Sequence, residues 1–144
     1  MIHKFWHIID TGGLVCQLVF YPLFLASGLL MLLTGAPTSV FDALGSNAVE
    51  AAWIFGLILP PVLVLIGANI RNRFFGIAVE LGANVTLMGA LIGYSLAITQ
   101  SVWLDKGAFS PWLALGAAEM VFFICLRDAR RLIRSEKRAR REST

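Results

Sequence analysis

Residues 75–98 read FGIAVELGANVTLMGALIGYSLAI, and Glu80 is the only charged side chain among them. A helix needs roughly 20 apolar residues to cross the hydrocarbon core of a bilayer. Strands of a membrane barrel would instead alternate apolar and polar side chains with a period of two, which this stretch does not do. The stretch therefore predicts a membrane-spanning α-helix.

Three further apolar runs lie before and after this helix, at residues 14–33, 48–68 and 111–126. The first two have the length of a full crossing, whereas the last is short and contains Glu119. Only helices and closed barrels pair every backbone polar group within lipid. We therefore predict an all-α fold, an integral membrane bundle of four transmembrane helices followed by a basic cytoplasmic C-terminal helix.

The composition supports this fold class. The chain has 144 residues, of which 58% are hydrophobic and only 15% charged, too few to cover the surface of a soluble domain. We divide it into an interfacial N-terminal segment (1–13), a four-helix transmembrane domain (14–126) and a basic tail (127–144). The first run could also be a cleaved signal peptide, but the apolar core of such a peptide spans only about 7 to 15 residues. We expect the run to be retained as a helix.

The basic residues predict the orientation. With four crossings, Lys4, Arg71, Arg73 and the eight basic residues of 127–141 share one side of the membrane, and the other side holds only Lys106. Lys and Arg accumulate on the cytoplasmic side of short loops. We therefore predict a multi-pass protein of the cytoplasmic (inner) membrane with both termini in the cytoplasm.

The third helix carries two distinct faces. Glu80 and Asn84 lie four residues apart and so share one face. Small residues that would let another helix approach closely form the opposite face: Gly82, Thr86, Gly89 and Gly93. We expect this helix at the centre of the bundle or of an oligomer.

Two features of the other runs also stand out. Glu119 lies near the middle of the fourth run, where a carboxyl group is costly and normally faces the bundle interior or water. It would serve a proton or ion pathway, a switch, or a hydrogen bond between helices, for instance to Asn84. Pro60 and Pro61 predict a kink in the second helix, which can be a hinge or ligand site but is also common in passive membrane helices.

The basic tail directly follows a predicted membrane helix. This position favours contact with anionic lipid headgroups over nucleic-acid binding, and the residues closest to the membrane are Arg127, Arg130, Arg131 and Arg134. The pair His3 and His7 has only Asp10 nearby as a further metal ligand, fewer than a zinc site needs. No catalytic or cofactor motif is recognisable, so we predict no enzymatic activity, no cofactor and no metal site.

The chain resembles the phage holins, small proteins that permeabilise the host membrane during lysis. The shared features extend over the whole chain: its size, its four apolar runs with tight turns, and the basic segment 127–141. The resemblance implies a homo-oligomer whose helices pack through Gly82, Gly89 and Gly93. It also implies a lesion in which Glu80, Asn84 and Glu119 face water.

Two other functions stay open. The chain would be a structural or accessory subunit of a larger membrane complex if Glu119 and Asn84 contact a partner helix. It would be a small transporter or exclusion protein, acting as an oligomer, if Pro60, Pro61 and Glu119 form a site near the middle of the membrane. The expected partners are membrane lipids and either further copies of the chain or other membrane protein subunits.

Overall fold

The structure, a computed structural model, describes residues 2–35, 46–100 and 109–142, with side chains at 15, 17–35, 46–99 and 111–137. This part of the chain contains no strand. It forms four helices: α1 (Ile2–Thr34), α2 (Asn47–Asn69), α3 (Arg73–Gln100) and α4 (Phe109–Glu142). The prediction of an all-α fold is confirmed.

Three stretches of the described residues are long and apolar enough to cross a membrane: Gln17–Thr34 in α1, Asn47–Asn69 in α2 and Arg73–Thr99 in α3. They coincide with the first three predicted runs. The fourth run lies in α4, which continues without a break into the basic segment. In the same way, α1 joins the predicted interfacial segment and the first run into one helix.

Local sequence explains where the helices begin and end. The hydroxyl group of Ser46 accepts a hydrogen bond from the amide of Val49 (3.3 Å), which caps α2 as the sequence predicts. Asn72 caps α3 by accepting from the amide of Phe75 (3.3 Å). At the end of α1, Gly35 has a φ of +82°, a left-handed conformation that glycine adopts without steric penalty.

The helices run antiparallel to their neighbours around the bundle. The most extensive packing joins α3 to α4, followed by α2 to α3, while α1 contacts α2 and α4. At one end of the α2–α3 pair, the rings of Trp53 and Tyr94 stack with centroids 5.3 Å apart. At the other end the backbones nearly touch, because a Cβ atom on Gly76 would lie 2.5 Å from the carbonyl oxygen of Gly67.

The centre of the bundle is largely apolar, and its buried residues come from all four helices: Tyr21, Leu57, Leu87, Leu91, Ala118, Val121 and Cys125. Much of the outer surface is apolar too. The side chains of Leu18 and Leu33, for example, are 69% and 84% exposed. α2 continues through Pro60 and Pro61, which are both buried and supply no backbone donor to the preceding turn.

Candidate functional site

Polar side chains from three helices meet at one end of the bundle, and together we term them the polar cluster. Each helix contributes two residues four positions apart, which therefore lie on one helix face, and α4 adds one more beside them. The members are Gln17 and Tyr21 of α1, Glu80 and Asn84 of α3, and Arg127, Asp128 and Arg131 of α4. The polar cluster thus connects helices that are far apart in sequence.

Asp128 is the centre of the polar cluster. Its side chain is fully buried, and its carboxylate lies 2.8 Å from Nδ2 of Asn84, 2.9 Å from Nε of Arg127 and 3.4 Å from a terminal nitrogen of Arg131. A buried carboxylate is tolerated only when it is both paired and hydrogen-bonded. The donors from α3 and α4 meet that requirement.

Arg127 connects α4 to α1. Its side chain is only 5% exposed, and it donates both to Asp128 and to Oε1 of Gln17, which lies 3.0 Å away. The sequence predicts a lipid headgroup contact for this arginine, and the structure places the side chain inside the bundle instead. The physical reason is that Asp128 and Gln17 supply acceptors on the bundle side of α4, so the guanidinium group does not need to reach outward.

Asn84 uses both ends of its side-chain amide. Oδ1 accepts a hydrogen bond from the hydroxyl group of Tyr21, and Nδ2 donates to the carboxylate of Asp128. Because Asn84 is fully buried, these bonds replace the water that the amide would otherwise need. A hydrogen bond from Asn84 to Glu119, one of the sequence interpretations, is not formed.

Glu80 and Arg131 form the outer edge of the polar cluster. A carboxylate oxygen of Glu80 lies 3.6 Å from a terminal nitrogen of Arg131, and the side chains are 12% and 40% exposed respectively. With two arginines and two carboxylates, the polar cluster is formally neutral. Neutrality matters because an unbalanced charge in a low-dielectric environment would carry a large desolvation cost.

A cavity of about 410 Å³ lies beside the polar cluster and is bordered by all four helices. Its wall is mostly apolar and is formed by α1 and α2, whereas Gln17, Glu80, Arg127 and Arg131 line its polar end. Among the described residues, Nε2 of Gln17 is one of the buried side-chain nitrogens without a hydrogen-bond partner. The cavity therefore joins an apolar wall to a charged mouth.

The other predicted site residues lie on the outside of the bundle. A Cβ atom added to Gly82, Gly89 or Gly93 would meet no atom within 4 Å, and Thr86 between them is exposed. Glu119 is exposed as well. The small-residue stripe and Glu119 are therefore unused by packing among the described residues, which leaves both available for other contacts.

The remaining predicted residues do not form a common site. Pro60 and Pro61 are buried in the bundle, whereas Glu119 faces away from it. Arg134 is exposed, in keeping with a surface position for this part of the basic segment. No group of three or more metal-ligating side chains occurs among the described residues, and the side chains of His3, His7 and Asp10 lie outside them.

Sequence reasoning missed three members of the polar cluster: Gln17, Tyr21 and Asp128. The spacing of Gln17 and Tyr21 was a usable signal, because polar residues at positions i and i+4 share one helix face. Asp128 directly follows Arg127 and has no such signal within α4.

Comparison with known protein families, with curated proteins and with solved structures finds no match to this chain. The geometry of the chain itself is therefore the basis for a functional proposal.

Proposed function

We propose that the chain is a multi-pass protein of the cytoplasmic membrane with four crossings and both termini in the cytoplasm. Three apolar helices, an apolar outer surface and the uneven distribution of basic residues support this location. The contacts between Ser95 and Pro111 (3.1 Å) and between Asn84 and Asp128 (2.8 Å) keep α4 beside α3. Reporters fused after Thr144 and at Asn72 should report the same, cytoplasmic side; opposite sides would refute four crossings.

Within this location, we infer a holin-like function in which the chain oligomerises and permeabilises the membrane. The observation that carries this inference is the open stripe of α3. A glycine inside a helix costs about 1 kcal/mol relative to alanine. Packing among the residues that the structure describes makes no use of the missing side chains at Gly82, Gly89 and Gly93, whereas a helix of a second copy would use them.

The position of Glu119 supports the same function. An exposed carboxyl group in the apolar part of α4 would face lipid in a single chain, which is costly. An oligomer lowers that cost by covering Glu119 with another chain, and a water-filled lesion lowers it by hydrating the group. The closed oligomer, in which Glu119 is covered, and the open lesion, in which it is hydrated, are two states of the same assembly.

The experiment that tests this proposal is induced expression in a bacterium with Gly89→Leu as the perturbation. Wild-type protein should form cross-linked oligomers and depolarise the membrane abruptly, with lysis when a muralytic enzyme is present. Gly89→Leu should abolish both effects because the side chain prevents close helix approach. The matched control is Ala52→Leu, which adds bulk at an exposed position of α2 outside the stripe.

Two results would count against the holin-like function. Unchanged cross-linking of Gly89→Leu would show that the stripe is not an interface. Intact membrane potential in cells with verified wild-type insertion would favour the second candidate, an accessory subunit of a larger membrane complex. The polar cluster supports that candidate, because its hydrogen bonds fix α1, α3 and α4 together, as a static scaffold requires. Co-purification of another membrane protein at fixed stoichiometry would identify such a complex.

A further inference from the structure

The cavity beside the polar cluster has two chemically different ends. Apolar side chains line most of its wall, including Leu18, Leu25, Val64 and Leu65. The wall is open to the outside of the bundle at Leu18 and Leu65, which are 69% and 62% exposed. From Gln17 at the polar end to Leu25, the wall extends roughly 12 Å along α1, at 1.5 Å per residue. The volume of about 410 Å³ lies in the range of cavities that hold small ligands. An occupant with an apolar chain and a polar head fits this shape.

One charged group at the mouth, the guanidinium group of Arg131, is open to an anionic head, because its side chain is 40% exposed. Arg127, Arg131 and Glu80 line the cavity, so two guanidinium groups stand against one carboxylate there. Asp128, which balances Arg127, is fully buried behind them. Arg131 uses a single terminal nitrogen for its ion pairs with Glu80 and Asp128.

We propose that this cavity binds one anionic phospholipid, with an acyl chain along the apolar wall and the phosphate at Arg131. Arginine suits phosphate because its planar N–H groups match two phosphate oxygens at once. Free phosphate would satisfy Arg131 but would leave the apolar wall empty. The inference rests on the proposed membrane location, in which the polar cluster lies near the cytoplasmic headgroups, and is independent of permeabilising activity.

The first test measures which lipids stay bound to the purified full chain. The protein in neutral detergent is incubated with phosphatidylglycerol or phosphatidylcholine of matched acyl chains, and retained lipid is counted by native mass spectrometry. We expect preferential retention of phosphatidylglycerol and about a tenfold loss of affinity in Arg131→Gln, the effect of removing one charged hydrogen-bond donor. Arg73→Gln, an exposed arginine at the start of α3 that does not line the cavity, should retain the lipid like the wild type.

The second test asks whether the acyl chain enters the cavity. Ala68→Phe narrows the cavity mouth without changing any charge, whereas Ala52→Phe makes the same substitution at an exposed position of α2 that does not line it. We expect loss of bound lipid only in Ala68→Phe. Size-exclusion chromatography and thermal melting of each variant show that the protein remains folded.

Three outcomes would overturn the proposal. Equal losses in Arg131→Gln and Arg73→Gln would mean a diffuse attraction of the lipid to basic side chains. Full retention in Ala68→Phe would exclude an acyl chain in the cavity, and displacement of the lipid by millimolar inorganic phosphate would indicate a simple anion site. Gly89→Leu separates this proposal from the holin-like function, because it should keep the lipid while losing depolarisation.

Discussion

Removal of the carboxylate at the centre of the polar cluster should destabilise the bundle strongly. The side chain of Arg127 is only 5% exposed. In Asp128→Ala its guanidinium group loses its ion pair, and Nδ2 of Asn84 loses its acceptor. Removing one partner of a buried ion pair typically costs about 3–5 kcal/mol, because the other charge remains buried without compensation. We expect a loss of that size in the free energy of unfolding.

Two further variants show whether the loss of stability in Asp128→Ala arises from the unpaired charge of Arg127 or only from the loss of contacts. Arg131→Gln removes a half-exposed partner of the same carboxylate and should cost at most about 1 kcal/mol, as exposed ion pairs do. The double variant Arg127→Met with Asp128→Leu removes both buried charges together. Replacing a buried ion pair by apolar residues is often close to neutral, so the double variant should be more stable than Asp128→Ala alone.

Equilibrium unfolding in mixed micelles gives the required free energies. The purified chain is titrated with a denaturing detergent while the fluorescence of its tryptophans is followed. A stability of Asp128→Ala within about 1 kcal/mol of the wild type would refute the reasoning, because that is the range of exposed pairs. A double variant no more stable than Asp128→Ala would refute it independently, since the loss would then not arise from the charge left on Arg127.

Two other changes test the packing that holds the site. Gly76→Ala should destabilise the α2–α3 pair by about 1–3 kcal/mol, because its Cβ atom would lie 2.5 Å from the Gly67 carbonyl oxygen and backbone must move. Gly116→Ala, in α4 with no atom within 4 Å of the added Cβ, should be neutral or stabilising in the same unfolding assay. An equal loss in both variants would contradict this view of the α2–α3 contact. Tyr21→Phe should cost about 1 kcal/mol, the usual value of one hydrogen bond between membrane helices, and an Asn84→Leu background should abolish that cost. A Tyr21→Phe cost that persists in Asn84→Leu would mean that the hydroxyl group acts elsewhere.

Run length and local sequence were sufficient to predict the helices. The apolar runs at 14–33, 48–68 and 75–98 correspond to spans in α1, α2 and α3, and Ser46 caps α2 as expected. These features depend only on residues close in sequence, since a helix forms its hydrogen bonds within one segment. The continuity of α1 and α4 beyond the apolar runs was not predicted, because the polar residues there were assigned to separate segments.

The contacts of the polar cluster depend on the relative positions of distant helices. Asn84 and Asp128 are 44 positions apart, and Gln17 and Arg127 are 110 apart. Only the antiparallel register of the packed helices brings such pairs together, and a single sequence does not contain that register. Asp128 was also overlooked because the surrounding arginines make the segment resemble a solvated tail.

The orientation of Glu119 was, in contrast, accessible from the sequence. Small and apolar residues recur at helical spacing along α4 and form its buried face: Ala114, Ala118, Val121 and Cys125. Glu119 follows Ala118 by one residue, a rotation of about 100° around the helix. The small and apolar residues of α4 therefore predict its buried face, and Glu119 lies outside that face. The cost of a carboxyl group in lipid instead predicts that Glu119 faces the bundle interior or water.

The polar cluster also bears on the shortness of the fourth apolar run. Residues 111–126 alone extend about 24 Å along a helix, less than the roughly 30 Å of a hydrocarbon core. The next turn, up to Arg131, places Arg127 and Asp128 inside the bundle, where they neutralise each other and bond to α1 and α3. With that turn α4 reaches about 30 Å, and the two charges nearest the apolar run, those of Arg127 and Asp128, face the bundle instead of lipid. The same ion pair that stabilises the helices would thus provide the length that the proposed fourth crossing requires.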